Sequence, residues 1–319
     1  QKNPYGLFYE VMGQTLYPKG HPYSWPIIGY IEDLDRATMQ DLKDFCMRWY
    51  GPNNAYLVVT GDVEVDEVLD LANKYFGPIP KGEDVRELRV PRVVLPQHKY
   101  KVFKDNIYLP LAAFTFPTIS AFHKDEPALD ALADIMGDGN NSPIYQAFVK
   151  TERASDAGVS HLAYDLAGEF MIYARSFPEN TFAEVEEEIF KILNDFESYI
   201  TDDAINRFKV KMRSQIMNGL SSIQGKASQL TRWAYLTNEP YNFQKSLDRY
   251  NNVTKEEVIK VYNKYIKNKK AAIIDYTSIP FGSTDSVQSV NPNAYMPFKK
   301  DKQYDNLVYN RGNDNFDRS

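Results

Sequence analysis

Cysteine is almost missing from this chain: of 319 residues, only Cys46 carries a thiol. An internal disulfide is therefore excluded, and so is a zinc site built from cysteines. Histidine is nearly as scarce. The four residues His21, His98, His123 and His161 stand far apart, no two within one helical turn. No run approaches the ~18 consecutive apolar residues of a membrane-spanning helix, and no basic, then apolar, then small-residue opening reads as a signal peptide. A surplus of positive charge is also absent. The formal net charge is −6, which argues against a nucleic-acid surface, since that needs a basic stripe. Missing too are a Gly-x-Gly-x-x-Gly turn after a strand, a Gly-Lys-Ser/Thr phosphate loop and a Gly-x-Ser-x-Gly elbow.

What is present is an ordinary apolar fraction, 43%, with 23 Tyr and 18 Phe. That suffices for one large or two ordinary domains with real cores. Residues 1–80 read as a first unit. A short helix over Leu7 to Leu16 is broken by Pro18-Lys19-Gly20. Thr38 with Asp41 three residues on, ahead of Leu42, Phe45 and Trp49, predicts an N-capped amphipathic helix stopped by Gly51-Pro52. Ala55 to Thr60 is short, apolar and β-branched, and is expected to be a strand buried on both faces. Val65, Val68, Leu69, Ala72 and Phe76 mark one face of a further helix ending at Gly77. This helix–strand–helix layer needs more strands to close its sheet, so the unit reads as truncated.

Residues 81–96, with Pro91 and Pro96, read as a linker. A complete α+β domain is expected over 97–278, with antiparallel strands and helices packed on one face. Strands are predicted at 99–104, 107–116, 156–164, 168–177 and 270–276. Asp165-Leu166-Ala167 supplies a hairpin turn, with Gly168 available for a positive φ. Helices are predicted at 124–136, 142–152, 181–197, 201–223, 226–236, 242–250 and 254–267. Thr181 caps one and Thr254 with Glu257 another. Residues 279–319 are polar, rich in Asn, Asp and Ser, and read as an extended tail or a linker to a further half.

Several ordered motifs carry a resemblance. They are His21-Pro22-Tyr23-Ser24-Trp25-Pro26-Ile27-Ile28-Gly29, Tyr50-Gly51-Pro52-Asn53-Asn54-Ala55, Thr60-Gly61-Asp62-Val63 and Tyr75-Phe76-Gly77-Pro78-Ile79-Pro80. Asn141 to Lys150, Ile200 to Lys211 and Asn252 to Val258 continue the series. Together they resemble the insulinase/pitrilysin family of zinc metallopeptidases, the inverzincins, over about residues 1 to 278. Asn315-Phe316-Asp317-Arg318-Ser319 is similar to the connector of large two-half members. The resemblance implies two insulinase-type α+β domains, the first truncated at its N-terminus. In the family a His-x-x-Glu-His helix and a third glutamate hold the zinc, upstream of the point where this chain begins. It further implies a zinc endopeptidase whose two halves enclose an unfolded peptide, bound by strand addition to a sheet edge. Zinc would belong to the parent protein, with none expected on this chain, which by itself would be inactive. The other reading is a non-catalytic scaffold or peptide-binding subunit of the same fold.

Many family members also carry an Arg and a Tyr after the Leu-Tyr helix, which hold the substrate carbonyl and the developing oxyanion. The matching positions here are Val149 and Asp156, which are not functional equivalents; Arg153 and Tyr164 are nearby but wrongly spaced. In family terms this marks the zinc-bearing half, with the Arg and Tyr supplied by a second homologous half or a partner subunit. The histidines read as surface or loop residues, with His21 ordering a loop before Pro22-Tyr23. Cys46 reads as a packed thiol, Asp138-Gly139-Asn140-Asn141 as a break between helices, and Glu184 with Glu186 to Glu188 as a solvated face. The expected setting is an exported bacterial protein, periplasmic or envelope-associated, soluble, with a homodimer through the first domain as one outcome of its bare apolar surface.

Overall fold

Thr38 accepts a hydrogen bond from the Asp41 amide, and the Asp41 carboxylate accepts one in return from the Thr38 amide. The same reciprocal cap recurs at Thr181 with Glu184 and at Thr254 with Glu257. Each satisfies two amides that a helix start otherwise leaves bare, and so the local sequence sets where three helices begin. The computed structural model describes residues 3–85 and 88–279. In chain order the helices and strands are α1 (Phe8–Leu16), α2 (Ile31–Arg36), α3 (Met39–Trp49), α4 (Val65–Phe76), β1 (Lys99–Asp105) and β2 (Leu111–Pro117). They continue with α5 (Glu126–Gly137), β3 (Ala154–Ala163), β4 (Gly168–Ser176), α6 (Phe182–Asp195), α7 (Asp202–Gly219), α8 (Ile223–Thr237), α9 (Phe243–Asn251), α10 (Lys255–Tyr265) and β5 (Ala272–Ser278).

The strands form one mixed sheet in the order β1-β5-β2-β4-β3. β1 and β5 run parallel; β5 with β2, β2 with β4 and β4 with β3 run antiparallel. The fold is α+β, as expected. Alternation along the strands divides the core. Phe114 and Phe116 of β2, Phe170 and Ile172 of β4 and Ile273 of β5 pack against Leu129, Leu132, Val185, Ile189, Phe208 and Tyr262 from the helices. Ala113, Ile274, Tyr276 and Phe103 point to the other face, where Phe8, Val11, Met12 and Leu16 of α1 cover them together with Val93 and Leu95. β2 and β5 are buried on both faces, which explains their unbroken apolar runs.

Several expectations are corrected. Ala55 to Thr60 forms no ladder, and Leu57 is 60% exposed. A strand needs neighbours, and among the described residues no strand lies beside it to pair. It lies instead along α8: the Tyr56 hydroxyl bonds Asn238 at 2.8 Å, and the Thr60 hydroxyl bonds the Ile223 carbonyl at 3.1 Å. The apolar faces of α3 and α4 are likewise bare, with Phe45 52% and Leu69 53% exposed. The helix expected over 142–152 contains a π-turn at Tyr145–Val149. The long helix expected to reach 223 stops at Gly219, and Ser222 caps α8 by accepting from the Gly225 amide. Gly225 is needed there because a Cβ would lie 2.0 Å from the Gly219 carbonyl oxygen. Gly168 is not in the left-handed region. Its hydrogen is required by close approach: a Cβ would stand 2.1 Å from the Ile119 carbonyl oxygen. The tail expected from residue 279, and the connector-like motif at 315–319, lie outside the described residues from 280 onward.

Candidate functional site

Asp156 sits on β3 at a bulge, where the register against β4 shifts between Ala154 and Asp156. Its carboxylate faces Arg175 (Nη1–Oδ2, 3.8 Å) and accepts from the Tyr173 hydroxyl at 3.5 Å. The Arg175 guanidinium lies 4.8 Å over the Tyr5 ring. The fold thus brings an arginine and a tyrosine beside Asp156, both from β4, two residues apart on one strand face. Sequence reading missed them because it sought the pair at helical spacing; the alternation of β4 was the signal that could have found them. Burial and Asp156 hold the Tyr173 hydroxyl above its ordinary pKa. With Asp156 occupying Arg175 and accepting from Tyr173, the donors face an internal carboxylate, which blunts any role in holding a carbonyl or oxyanion.

Val149 ends the π-turn, half-buried, and contributes no polar group. Arg153 and Tyr164 serve different elements. Arg153 reaches Glu188 at 3.6 Å, Asn180 and the Glu184 carbonyl at the start of α6, and lies over Phe148. Tyr164 stands in the β3–β4 turn, edge-on to Tyr23 at 5.6 Å, its pKa pushed up to about 12 by burial and Glu169. Of the α6 glutamates, Glu184 and Glu187 are exposed as expected, while Glu186 and Glu188 are half-buried. Glu184 caps the helix, Glu186 accepts from Tyr100 at 2.7 Å, and Glu188 pairs with Arg153 and Lys191. Asp138 is taken by Lys211 at 2.7 Å, and Gly139 turns the chain at φ 75°, so this stretch is a helix break. Cys46 is half-buried on α3, less packed than its neighbours implied.

The histidines are placed as follows. His21 accepts at Nδ1 from the Tyr23 amide and stacks on Tyr17 at 4.5 Å, ordering the loop. His98 and His123 accept at Nδ1 from the Ala271 and Asp125 amides. His161 departs from the loop expectation. It stands on β3 with its side chain fully buried, between Asp130 (Nδ1–Oδ1, 2.6 Å) and Thr118 (Nε2–Oγ1, 3.1 Å). Asp130 also accepts from Tyr250 at 2.7 Å, so the row ties β3, α5 and α9 together. Both nitrogens of His161 are thus engaged. Among the described residues no three His, Cys, Asp or Glu side chains stand where they could share a metal ion. These residues do not fit a zinc site.

A second polar junction joins the chain after α1 to the β3–β4 hairpin. Tyr17 donates to Glu169 at 2.7 Å, and the Leu166 amide donates to the Tyr23 hydroxyl at 3.0 Å. From the other side Tyr235 of α8 donates to Asp165 at 2.6 Å, and that bond and burial push its pKa up to about 12. Burial raises the Glu169 carboxyl, the Tyr17 bond opposing it in part. Burial and Glu169 raise the Tyr17 hydroxyl as well.

This α+β fold, a mixed sheet covered on both faces, has counterparts among known proteins. Residues 36–212, more than half of the chain, match the family described as peptidase M16 inactive domain, and the chain belongs to that family. It is similar to the zinc protease PqqE of Helicobacter pylori, 25% identical over 278 residues, covering 85% of this chain and 62% of that protein. It is similar also to the mitochondrial-processing peptidase subunit beta of Saccharomyces cerevisiae, 23% identical over 290 residues, covering 86% and 61%. A crystal structure of a protease from Helicobacter pylori shares the fold, with a TM-score of 0.73 at 24% identity over 85% of this chain and 67% of that one. The chain spans about three fifths of the length of the curated relatives it matches. Among the described residues no helix is long and apolar enough to cross a membrane.

Proposed function

We propose that this chain is the supporting part of a zinc-dependent endopeptidase that encloses unfolded peptides, and that residues 1–319 alone are inactive. The observation that carries the reading is family membership, with relatives named as zinc proteases. The bare apolar surface of α3, α4 and residues 55–60 supports it, because a further body of protein is needed to cover it. In this reading residues 1–80 are the C-terminal part of a first domain, 81–96 a linker, 97–278 a second domain and 279–319 a connector to a further half. The metal ligands and the Arg and Tyr that hold substrate come from outside this chain. The setting is the periplasm or envelope of a bacterium, which fractionation of cells carrying a tagged chain checks; recovery with cytoplasmic markers alone overturns it.

The other reading is a scaffold or peptide-binding subunit of the same fold. Val149 and Asp156 at the family's Arg and Tyr positions weigh against its usual form, since such subunits commonly supply that pair. Zinc content and chelator-sensitive cleavage of an unstructured peptide separate the two. They are measured on residues 1–319 and on the chain joined to whatever is encoded ahead of Gln1. Zinc and activity in the longer product alone support the protease. Zinc in neither supports the scaffold.

A further inference from the structure

We propose that the cleft between the end of α1 and the strand lead-in at residues 90–99 binds a carboxylate carried on an apolar body. This goes beyond the peptidase reading and does not depend on it. The cleft encloses about 570 Å³. Its walls are apolar, with Leu16, Val93 and Leu95 beside Pro18, Pro91 and Pro96, and its charged lining residues are Lys19, Arg92 and Lys99. Among the described residues no acidic residue lines it.

Three observations point to an anionic head. Lys99 opens β1 on the same strand face as Phe103, the face covered by α1, and is half-buried. It makes no ion pair among the described residues, and burial alone lowers its pKa. A desolvated ammonium without a counterion is costly, and a bound carboxylate would supply the missing partner. Lys19, exposed at the cleft rim, is likewise without an ion pair among the described residues. His21, 6% exposed, also lines the cleft. Its Nδ1 accepts from the Tyr23 amide, so the neutral ring carries its proton on Nε2, and that buried donor has no acceptor. Arg92 is already stacked 4.6 Å over Tyr265 and belongs to the wall. The exposed apolar lining selects what the carboxylate is attached to, since a small hydrophilic anion would leave Pro18, Pro91, Val94 and Pro96 facing water.

Two sources offer this chemistry, an alkyl carboxylate and the C-terminus of a peptide ending in an apolar residue. Calorimetric titration of the whole chain with octanoate, octanamide, a short peptide ending in leucine, and its C-terminal amide tests the site. At least one carboxylate should bind about tenfold more tightly than its amide, and Lys99→Gln should remove that preference. Lys19→Gln should reduce it by less. Lys99→Gln deletes a costly unpaired cation, so its circular dichroism should match the parent and its thermal midpoint should equal or exceed it, which separates lost binding from lost fold. Binding of octanoate alone assigns the site to alkyl acids, and binding of the peptide alone assigns it to chain ends; either supports it. Equal binding of acids and amides, unchanged binding in Lys99→Gln, or no binding at about millimolar concentration overturns it.

Discussion

Glu169 shows how one buried group couples the molecule to pH. Its carboxyl is held within a cage of Tyr17, Tyr23 and Tyr164, with His21 stacked behind Tyr17 and Asp165 close to Tyr23. Burial raises its pKa, so the folded chain keeps the proton longer than the unfolded one. Below the ordinary glutamate range both states are protonated and the group's contribution is fully present. As pH rises through that range the unfolded chain ionises first, and stability falls until the raised folded value is passed. His21 acts in the opposite sense. Burial lowers its pKa, so the folded chain releases this proton before the unfolded one, and its contribution grows as pH rises toward the ordinary histidine range. Comparison with Glu169→Gln, which leaves His21 in place, isolates the Glu169 part. Glu169→Gln keeps an acceptor for Tyr17 and removes the titration. Thermal melts across pH should therefore show the variant gaining on the parent from acid toward neutral pH; two parallel curves would count against this account. The motif around His21 was legible in the sequence. Its stacking partner and Glu169 were not, since they meet across 152 positions of chain.

At the scale of elements, helix starts were readable, and of the sheet pairings only the local β3–β4 hairpin was. Thr38, Thr181 and Thr254 each act on an amide three residues away, so the signal and its effect share one short window. The hairpin of β3 and β4 was equally visible, but the reason for its glycine lay elsewhere. Gly168 is packed against the carbonyl of Ile119 and the hydroxyl of Thr118, from the chain that leaves β2. Gly168→Ala should then cost about 1–3 kcal/mol, because a methyl group must displace backbone. Urea denaturation measures it; an unchanged midpoint would mean that the β2 exit yields without cost. The Asp156 site failed the sequence reading for a related reason. Helical spacing was imposed on a segment that the fold continues as a bulged strand, and its Arg and Tyr neighbours came from the next strand over.

At the scale of the whole molecule the two ends of the described chain are treated unequally. The sheet of β1 to β5 is covered on both faces, by helices on one side and α1 on the other. Residues 55–60, α3 and α4 are covered only in part, leaving Phe45, Leu57, Val59 and Leu69 exposed. Apolar surface of this extent drives association. Light scattering of residues 1–319 should show mass rising with concentration, and Phe45→Glu with Leu69→Glu should shift it toward monomer. A monodisperse monomer at every concentration would remove this surface as an interface. By itself the sequence determined the helix starts, the apolar faces and the family, because caps, periodicity and ordered motifs are local patterns written along the chain. Only the tertiary structure decided which apolar faces are buried, that His161 is a core residue and what surrounds Asp156. Burial and partnership depend on segments that are distant in sequence and meet only in the fold.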